Sequence, residues 1–480
     1  MKIYTILISL LISFNSFSQD FIKEISLPES YTISDYGFTY NGNFYLTTNK
    51  KMLSSKLKDE VFTIYDKNSI EKINTYKLET NNSVLRGVSP NANTIIFDYP
   101  KLLGSKSKFF RILNSDGDTK TISDENIEGD LYNDPKTGIM DFTTNSFYYA
   151  IARKEKNSNE NFLLKRSLST ASVEYTKVEI SPIKTDKDFL RWRINKISDN
   201  NFILLAKDFI NETSDRYHIA FFDETAQLIK KVTLQITLPD NFLCYSNNGA
   251  GTWELLIVSS KNFNYPAFIP TDETAGNVCV DNKNKVFYTY GLYSSKKKFS
   301  SGIYTNGFYV YKFDWEGKLL WKKMQNFDIK SAIKNKHDAY KTVVNFYNIS
   351  DFNIGLCIKP SNDENIQLFN INANSGEIIE AKNMRYKISN FGNLPNFNNM
   401  NKNDKSQFTY ILKDDYSKKL VLNLDAIAGA FFNRKFNDYL LSKKDNKNNL
   451  NFISTINDSG ILVFQSDNKD HQFQLIKFDW

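Results

Sequence analysis

Between positions 308 and 323 the chain reads FYVYKFDWEGKLLWKK. Tyr309, Tyr311 and Phe313 fall on one face of an extended segment, with Val310 and Lys312 on the other, the two-residue period of a strand. Asp314 then opens a turn that Gly317 closes, as a type I turn prefers, and KLLWKK predicts the returning strand. The same phase recurs in FFDETAQLIKKV (221–232) and in FNINANSGEII (369–379), whose turn is one residue longer. Weaker copies are RILNSDGDTKTI (111–122), TIYDKNSIEKI (63–73) and LLKRSLSTASVEY (163–175).

A second element precedes each hairpin, a short Asn/Asp turn leading into an apolar run. NGNFYL, NANTIIF, TNSFYYAI and DNNFILLA carry it at Asn41, Asn91, Asn145 and Asp199, at spacings of 50, 54 and 54 residues. NKVFYTY, NIGLCI and DSGILVF repeat it at Asn284, Asn353 and Asp458. A period near fifty, holding about four short strands, predicts a radial array of four-stranded sheets, an all-β β-propeller. The spacing of 91 residues between Asp223 and Asp314 is too long for one unit, and GTWELLIVSS (251–260) predicts a divergent unit inside it. Seven blades are expected, with eight as the alternative. Segment 426–444, AIAGAFFNRKFNDYLLSKK, breaks the pattern and predicts a short helix.

The last eight residues, FQLIKFDW (473–480), match FYVYKFDW (308–315) at Phe, Lys, Phe, Asp and Trp. The chain stops where the hairpin should turn. FIKEISLP (21–28), with Phe21, Ile25 and Leu27 on one face, can supply the missing outer strand. Pairing the two terminal strands would close the ring and hide two sheet edges that otherwise invite aggregation. The competing fold is a pair of β-sandwich domains divided near residue 260, which leaves the period unexplained.

Composition narrows the class. Aromatic residues make up 15% of the chain, 38 Phe, 27 Tyr and 5 Trp, which suits half-buried sheet faces. Only 10 Pro and 19 Gly argue against a disordered chain, and a mean hydropathy of −0.45 suits a soluble one. MKIYTILISLLISFNSFSQD opens with a basic Lys2, an apolar run too short to span a bilayer, and Ser16 and Ser18 ahead of Gln19. This predicts a signal peptide over 1–18, a single domain over 19–480, no membrane span and export to the periplasm or the cell exterior. The net charge of +7 is spread along the chain rather than gathered in a basic patch, so no nucleic-acid partner is expected. Cys244, Cys279 and Cys357 are too few for a disulfide framework, and Cys357, inside NIGLCIKP, reads as a buried thiol.

VYKFDWEGKLLWKK resembles a unit of the quinoprotein-type (PQQ-like) propeller repeat at Asp314, Gly317, Leu319, Leu320 and Trp321. The resemblance implies a propeller in which the Trp and Gly dock neighbouring blades. Quinone binding would require dedicated ligands that the sequence does not supply, so no cofactor is expected.

The search for chemistry returns few candidates. His218, His337 and His471 lie far apart, none in a metal-binding spacing, and His218 and His471 read as loop or edge residues at strand starts. Asp116, Asp118, Asp124, Glu125, Glu128 and Asp130 form the densest acidic stretch, but their spacing does not follow a calcium loop and predicts a solvated surface. No catalytic residue and no metal site is assigned. FLRWRINKI (189–197) places Arg191 and Arg193 on one face and Trp192 on the other, on an innermost strand or the loop entering it. Arg191, Trp192 and Arg193 are the candidate binding residues, since two guanidinium forks near the axis suit a carboxylate or a sugar acid. The alternative role is closure of the channel, with Trp192 packed between blades. The expectation is a monomeric, non-catalytic protein- or glycan-binding scaffold. A glycan-active hydrolase or lyase with a site on the axial face is the alternative.

Overall fold

The computed structural model describes residues 21–480 apart from 40–41, 51–59, 79–83, 90, 100–108, 124–129, 132–138, 142–145, 155–158, 168–172, 179–192, 199–200, 212, 224, 245–255, 258–267, 270–277, 296–302, 334–342, 360–364, 389–409, 413–419, 423, 444–449, 458–459 and 468–471. The fold is all-β, with two short helices among the described residues. Its strands form successive antiparallel meanders of sequence neighbours. The first comprises Tyr31–Phe38, Phe44–Lys50, Glu60–Tyr65 and Lys72–Leu78, and the second Val84–Val88, Thr94–Tyr99, Phe109–Asn114 and Thr119–Ser123. In the third, Asp130–Leu131 and Ile139–Asp141 both line Ser146–Lys154, followed by Asn159–Ser167 and Val173–Val178. The fourth comprises Arg193–Ser198, Asn201–Asn211, Ser214–Asp223 and Leu228–Thr237.

The fifth meander departs from expectation. Its first position is filled by two pieces, Phe242–Cys244 and Val278–Asp281, both paired with Val286–Ser294, before Ile303–Asp314 and Leu319–Ile333. Cys244 faces Leu292 and Val278 faces Thr289, so the chain leaves one strand position and returns to it after residues 245–277. Of the segment expected to build a divergent unit, residues 251–255 and 258–260 lie outside the described residues. Its described part, Leu256–Ile257, pairs with Phe268–Ile269. Residues on both sides of position 260 share one strand partner, so the two-sandwich division does not fit.

A ten-stranded sheet holds the rest. One end is a sixth meander, Val343–Asn348, Asn353–Lys359, Asn365–Asn372 and Ile378–Ile388, and the other is Leu450–Asn457, Gly460–Asp467, Gln472–Asp479 and Phe21–Ser26. The chain's first strand pairs antiparallel with its last, Phe21 opposite Lys477 and Ser26 opposite Gln472. Tyr410–Leu412 and Leu420–Leu422 join the two ends. The irregular segment forms two helices, α1 (Leu424–Phe432) and α2 (Arg434–Ser442), rather than one. Asn433 divides them: its backbone is extended and its side chain accepts from the Phe436 amide at 3.0 Å, capping α2.

Cores lie between consecutive meanders. Tyr45, Phe62 and Ile64 pack with Ile95 and Leu113 between the first and second, and Leu205, Tyr217 and Leu234 pack with Phe287 and Tyr309 between the fourth and fifth. Tyr288 and Val310 meet Leu356 and Ile371 between the fifth and sixth. Helix α1 fills the space between the sixth and the last through Ala426, Ile427 and Ala428. Phe464 and Leu475 of the last pack on Tyr36 and Phe44 of the first. Strands Val84–Val88 and Arg193–Ser198 both approach Ile139–Asp141, linking the second and fourth meanders to the third. Each fully buried Leu, Ile or Phe in these cores contributes about 1.5–3 kcal/mol.

The hairpin turns explain the repeat. The Asp314 carboxylate accepts from the amides of Glu316 (3.0 Å) and Lys318 (2.8 Å), and Asp223 does the same for Thr225 and Gln227 at 2.9 Å each. Asp66 accepts from Asn68 and Ser69, and Asn372 from Asn374 and Ser375. Burial alone would raise the Asp66 and Asp223 carboxyls, but these donated hydrogen bonds outweigh it and hold both below the usual range. A left-handed residue closes each turn: Gly117, Ala226 or Gly317 in the shorter ones, Ile70 or Gly376 in the longer.

The turns also dock one meander on the next. Trp321 Nε1 donates to Ala373 O at 3.1 Å, and a Cβ on Gly376 would sit 2.8 Å from the Trp321 ring. At the same position after the turn, Lys230 donates to Trp315 O at 2.8 Å, making the same contact with a different chemistry, whereas Asn74 donates to Ala92 O at 3.1 Å in the turn between the first two strands of the second meander. Gly376 combines a φ of +73° with that close approach. Gly376→Ala is therefore expected to destabilise the fold by about 2–4 kcal/mol, from left-handed strain and displacement of the indole. Urea unfolding followed by Trp fluorescence measures it, and an unchanged midpoint would mean the turn is not held on Trp321.

Candidate functional site

Arg193 opens the first strand of the fourth meander, opposite Leu205. Arg191, Trp192 and the Arg193 side chain lie outside the described residues, as do His337, His471, Asp124, Glu125 and Glu128. His218 is not at a strand start. It lies mid-strand in Ser214–Asp223, 7% exposed, with Nδ1 3.5 Å from Thr233 Oγ1. The strand begins earlier than its apolar run because Ser214 pairs with both Asn211 and Thr237. Asp116 and Asp118 lie in an exposed hairpin turn, where Asp116 accepts from the Asp118 amide. Cys357 is fully buried, and that burial, with Asp425 nearby, pushes its thiol well up. Cys279 and Cys357 carry thiols rather than a disulfide. Among the described residues, no group of three His, Cys, Asp or Glu gathers as a metal site.

Asp425 and Asp351 act as acceptors between elements. Tyr347 of the sixth meander donates to Asp425 in the first turn of α1 at 2.8 Å, and Asn345 donates to the Tyr347 hydroxyl at 3.1 Å. Burial, then Asp425, pushes the Tyr347 phenol well up, so it stays a neutral donor. Asp281 accepts from Asn284, and Asp351 receives Lys283 Nζ at 2.8 Å on both oxygens, joining the fifth meander to the sixth. Lys312, lowered by burial and partly restored by Asp281, donates to Ala373 O at 2.8 Å. Trp315 stacks on Phe287, centroids 4.8 Å apart, with the ammoniums of Lys230 and Lys285 near 5 Å. These arrangements hold elements together and position no nucleophile against a base.

Exposed apolar side chains form a different feature. Leu228 and Ile229, then Leu319 and Leu320, then Ile379 begin the fourth strands of the fourth, fifth and sixth meanders, at 36–56% exposure. Each set follows a turn seated against the preceding or succeeding meander, as Gly317 sits against Val232 and Gly376 against Trp321. The three sets occupy equivalent positions after their turns, and Phe352, 68% exposed, is bonded through its carbonyl to the Ala373 amide of the sixth meander's turn. Simple alternation would bury one residue of each pair. A register shift after each turn, between Phe221 and Phe222, Lys312 and Phe313, and Asn370 and Ile371, turns the extra residue outward.

No family model matches the chain, and no curated protein matches it. Among solved structures, the chain is similar to the C-terminal WD40 domain of Sif2 at 8% identity and a TM-score of 0.37, over 95% of this chain and 97% of that one. It is similar to the Dos1 propeller at 9% identity and a TM-score of 0.32, over 93% and 77%. The β-propeller domain of the Trilobed protease from Pyrococcus furiosus matches at 10% identity and a TM-score of 0.32, over 76% and 88%. These are propeller domains with differing roles. At such TM-scores the likeness transfers neither detailed geometry nor activity.

Proposed function

We propose that this chain is an exported, monomeric β-propeller whose seven meanders are blades, closed into a ring by Phe21–Ser26 on the last blade, and that it serves as a non-catalytic scaffold for a protein partner. The order of the cores supports the ring: consecutive meanders pack together and the last packs on the first. The exposed set of Ile229, Leu320 and Ile379 with Phe352 carries the binding reading. Its aliphatic side chains exclude water but offer nothing to sugar hydroxyls, which favours an apolar strip on a protein over a glycan.

A photo-crosslinking residue at Leu320, in protein expressed in its own host, tests this. One defined adduct is expected in the fractions outside the cytoplasm, and Ile229→Asp with Ile379→Asp should abolish it while leaving the fold intact. Polysaccharide cleavage by the purified chain, or a crosslinking pattern that ignores the two substitutions, would sink the proposal.

A further inference from the structure

Helix α2 grips the chain's final strand at two points. Asn433, which caps the helix, donates through Nδ2 to Asp479 O at 3.0 Å. Phe436 and Tyr439 pack on Phe478, with ring centroids 5.1 and 5.4 Å apart. The Tyr439 hydroxyl reaches Gln465 Oε1, and Gln474 Oε1 at 3.4 Å. Gln465 and Gln474 are cross-strand partners, and Glu24 of the first strand is the next residue across. Gln474 Nε2 donates to Glu24 Oε1 at 2.8 Å. A polar relay thus runs from α2 over Gly460–Asp467 and Gln472–Asp479 to Phe21–Ser26. The first strand is also tied to the first meander, through Lys23 and Glu71.

We infer that α2 is a latch: through Tyr439, Gln465 and Gln474 it holds Glu24, and with it the first strand, in register on the last. The inference rests on the ring reading above. It adds that an element inserted between the sixth and last meanders controls whether the terminal strand stays seated. The geometry suits this role, because one side chain per strand specifies the register and a slip by one residue would turn Glu24 to the opposite face. Release of α2 would free the first strand without unfolding the inner strands, since Leu450–Asn457 and Gly460–Asp467 keep their own pairing and core.

Hydrogen exchange on the full mature chain tests the latch. Tyr439→Phe keeps the ring packing and removes the hydroxyl; Glu24→Leu removes the acceptor; Glu24→Gln keeps an Oε1. In the first two, exchange of the amides of residues 21–26 is expected to quicken by up to about tenfold, the scale of one net hydrogen bond, while Gly460–Asp467 stays at the wild-type rate. Glu24→Gln should behave as wild type. Unchanged exchange at 21–26 in Tyr439→Phe, or equal quickening across Gly460–Asp467, overturns the latch while leaving the ring intact. Unprotected 21–26 amides in the wild type would overturn the ring reading and the latch together.

Discussion

A chain beginning at Leu27 is expected to lose roughly 5 kcal/mol of stability relative to one beginning at Gln19, and to associate. Residues 21–26 pair along their length with Gln472–Lys477, and each backbone hydrogen bond is worth about 1 kcal/mol net. Without them, the edge of Gln472–Asp479 is bare beside Phe473, which is 2% exposed in the intact fold. A bare edge next to apolar side chains templates pairing with another chain. Urea titration gives the loss, and light scattering on a sizing column gives the association. A monomer with the longer chain's midpoint would show that the terminal pairing carries no weight in the fold.

The second large effect is expected in alkali. Burial raises the phenols of Tyr65 and Tyr76 to about 12 and pushes Tyr217, Tyr288, Tyr290, Tyr293, Tyr311, Tyr347 and Tyr439 up as well. The folded chain therefore holds these groups neutral where the unfolded chain ionises near pH 10. Their contribution is complete below that pH and is lost as pH rises from 10 through about 12. A deeply buried phenol such as Tyr217 loses about 1.4 kcal/mol per pH unit in that window, and those nearer the surface less. Several together match a total stability of about 5–15 kcal/mol within a unit or two of pH. The expected result is a steep rise of phenolate absorbance coincident with loss of the sheet signal by circular dichroism. A gradual titration centred near pH 10 with the sheet signal intact would contradict the burial of these rings.

Some of the architecture was legible because it is local. The Asp–turn–Gly hairpin at Asp314 and its copy at Asn372 are written in the residues that the turn geometry demands, and the structure keeps both. The match of FQLIKFDW to FYVYKFDW placed the final strand in phase with a hairpin lacking its partner, and Phe21–Ser26 lies at that position. Other copies of the turn were faint because Ile70 and Ala226 occupy the left-handed position where Gly is expected. Both are buried, so packing offsets the backbone strain that normally selects glycine there.

The sites were less legible. Of the proposed binding residues, only the backbone of Arg193 falls among the described residues, so the axial pair is neither assembled nor dispersed. The exposure of Ile229, Leu320 and Ile379 was hidden because an aliphatic pair after a turn reads as alternating strand until a bulge turns the second residue out. The α2 relay could not be read at all, since Glu24 lies 450 residues from Gln474 in sequence, and only strand pairing brings them and Tyr439 together.

The sequence by itself determined the all-β class, the hairpin turns and the burial of Cys357, because side-chain alternation and turn chemistry act within a few residues. Only the tertiary structure decided that Phe242–Cys244 and Val278–Asp281 share one strand partner, that Asn433 splits a helix in two, and which side chains tie the first strand to the last. Those outcomes depend on partners distant in sequence, whose contacts are selected by packing and register rather than by local propensity.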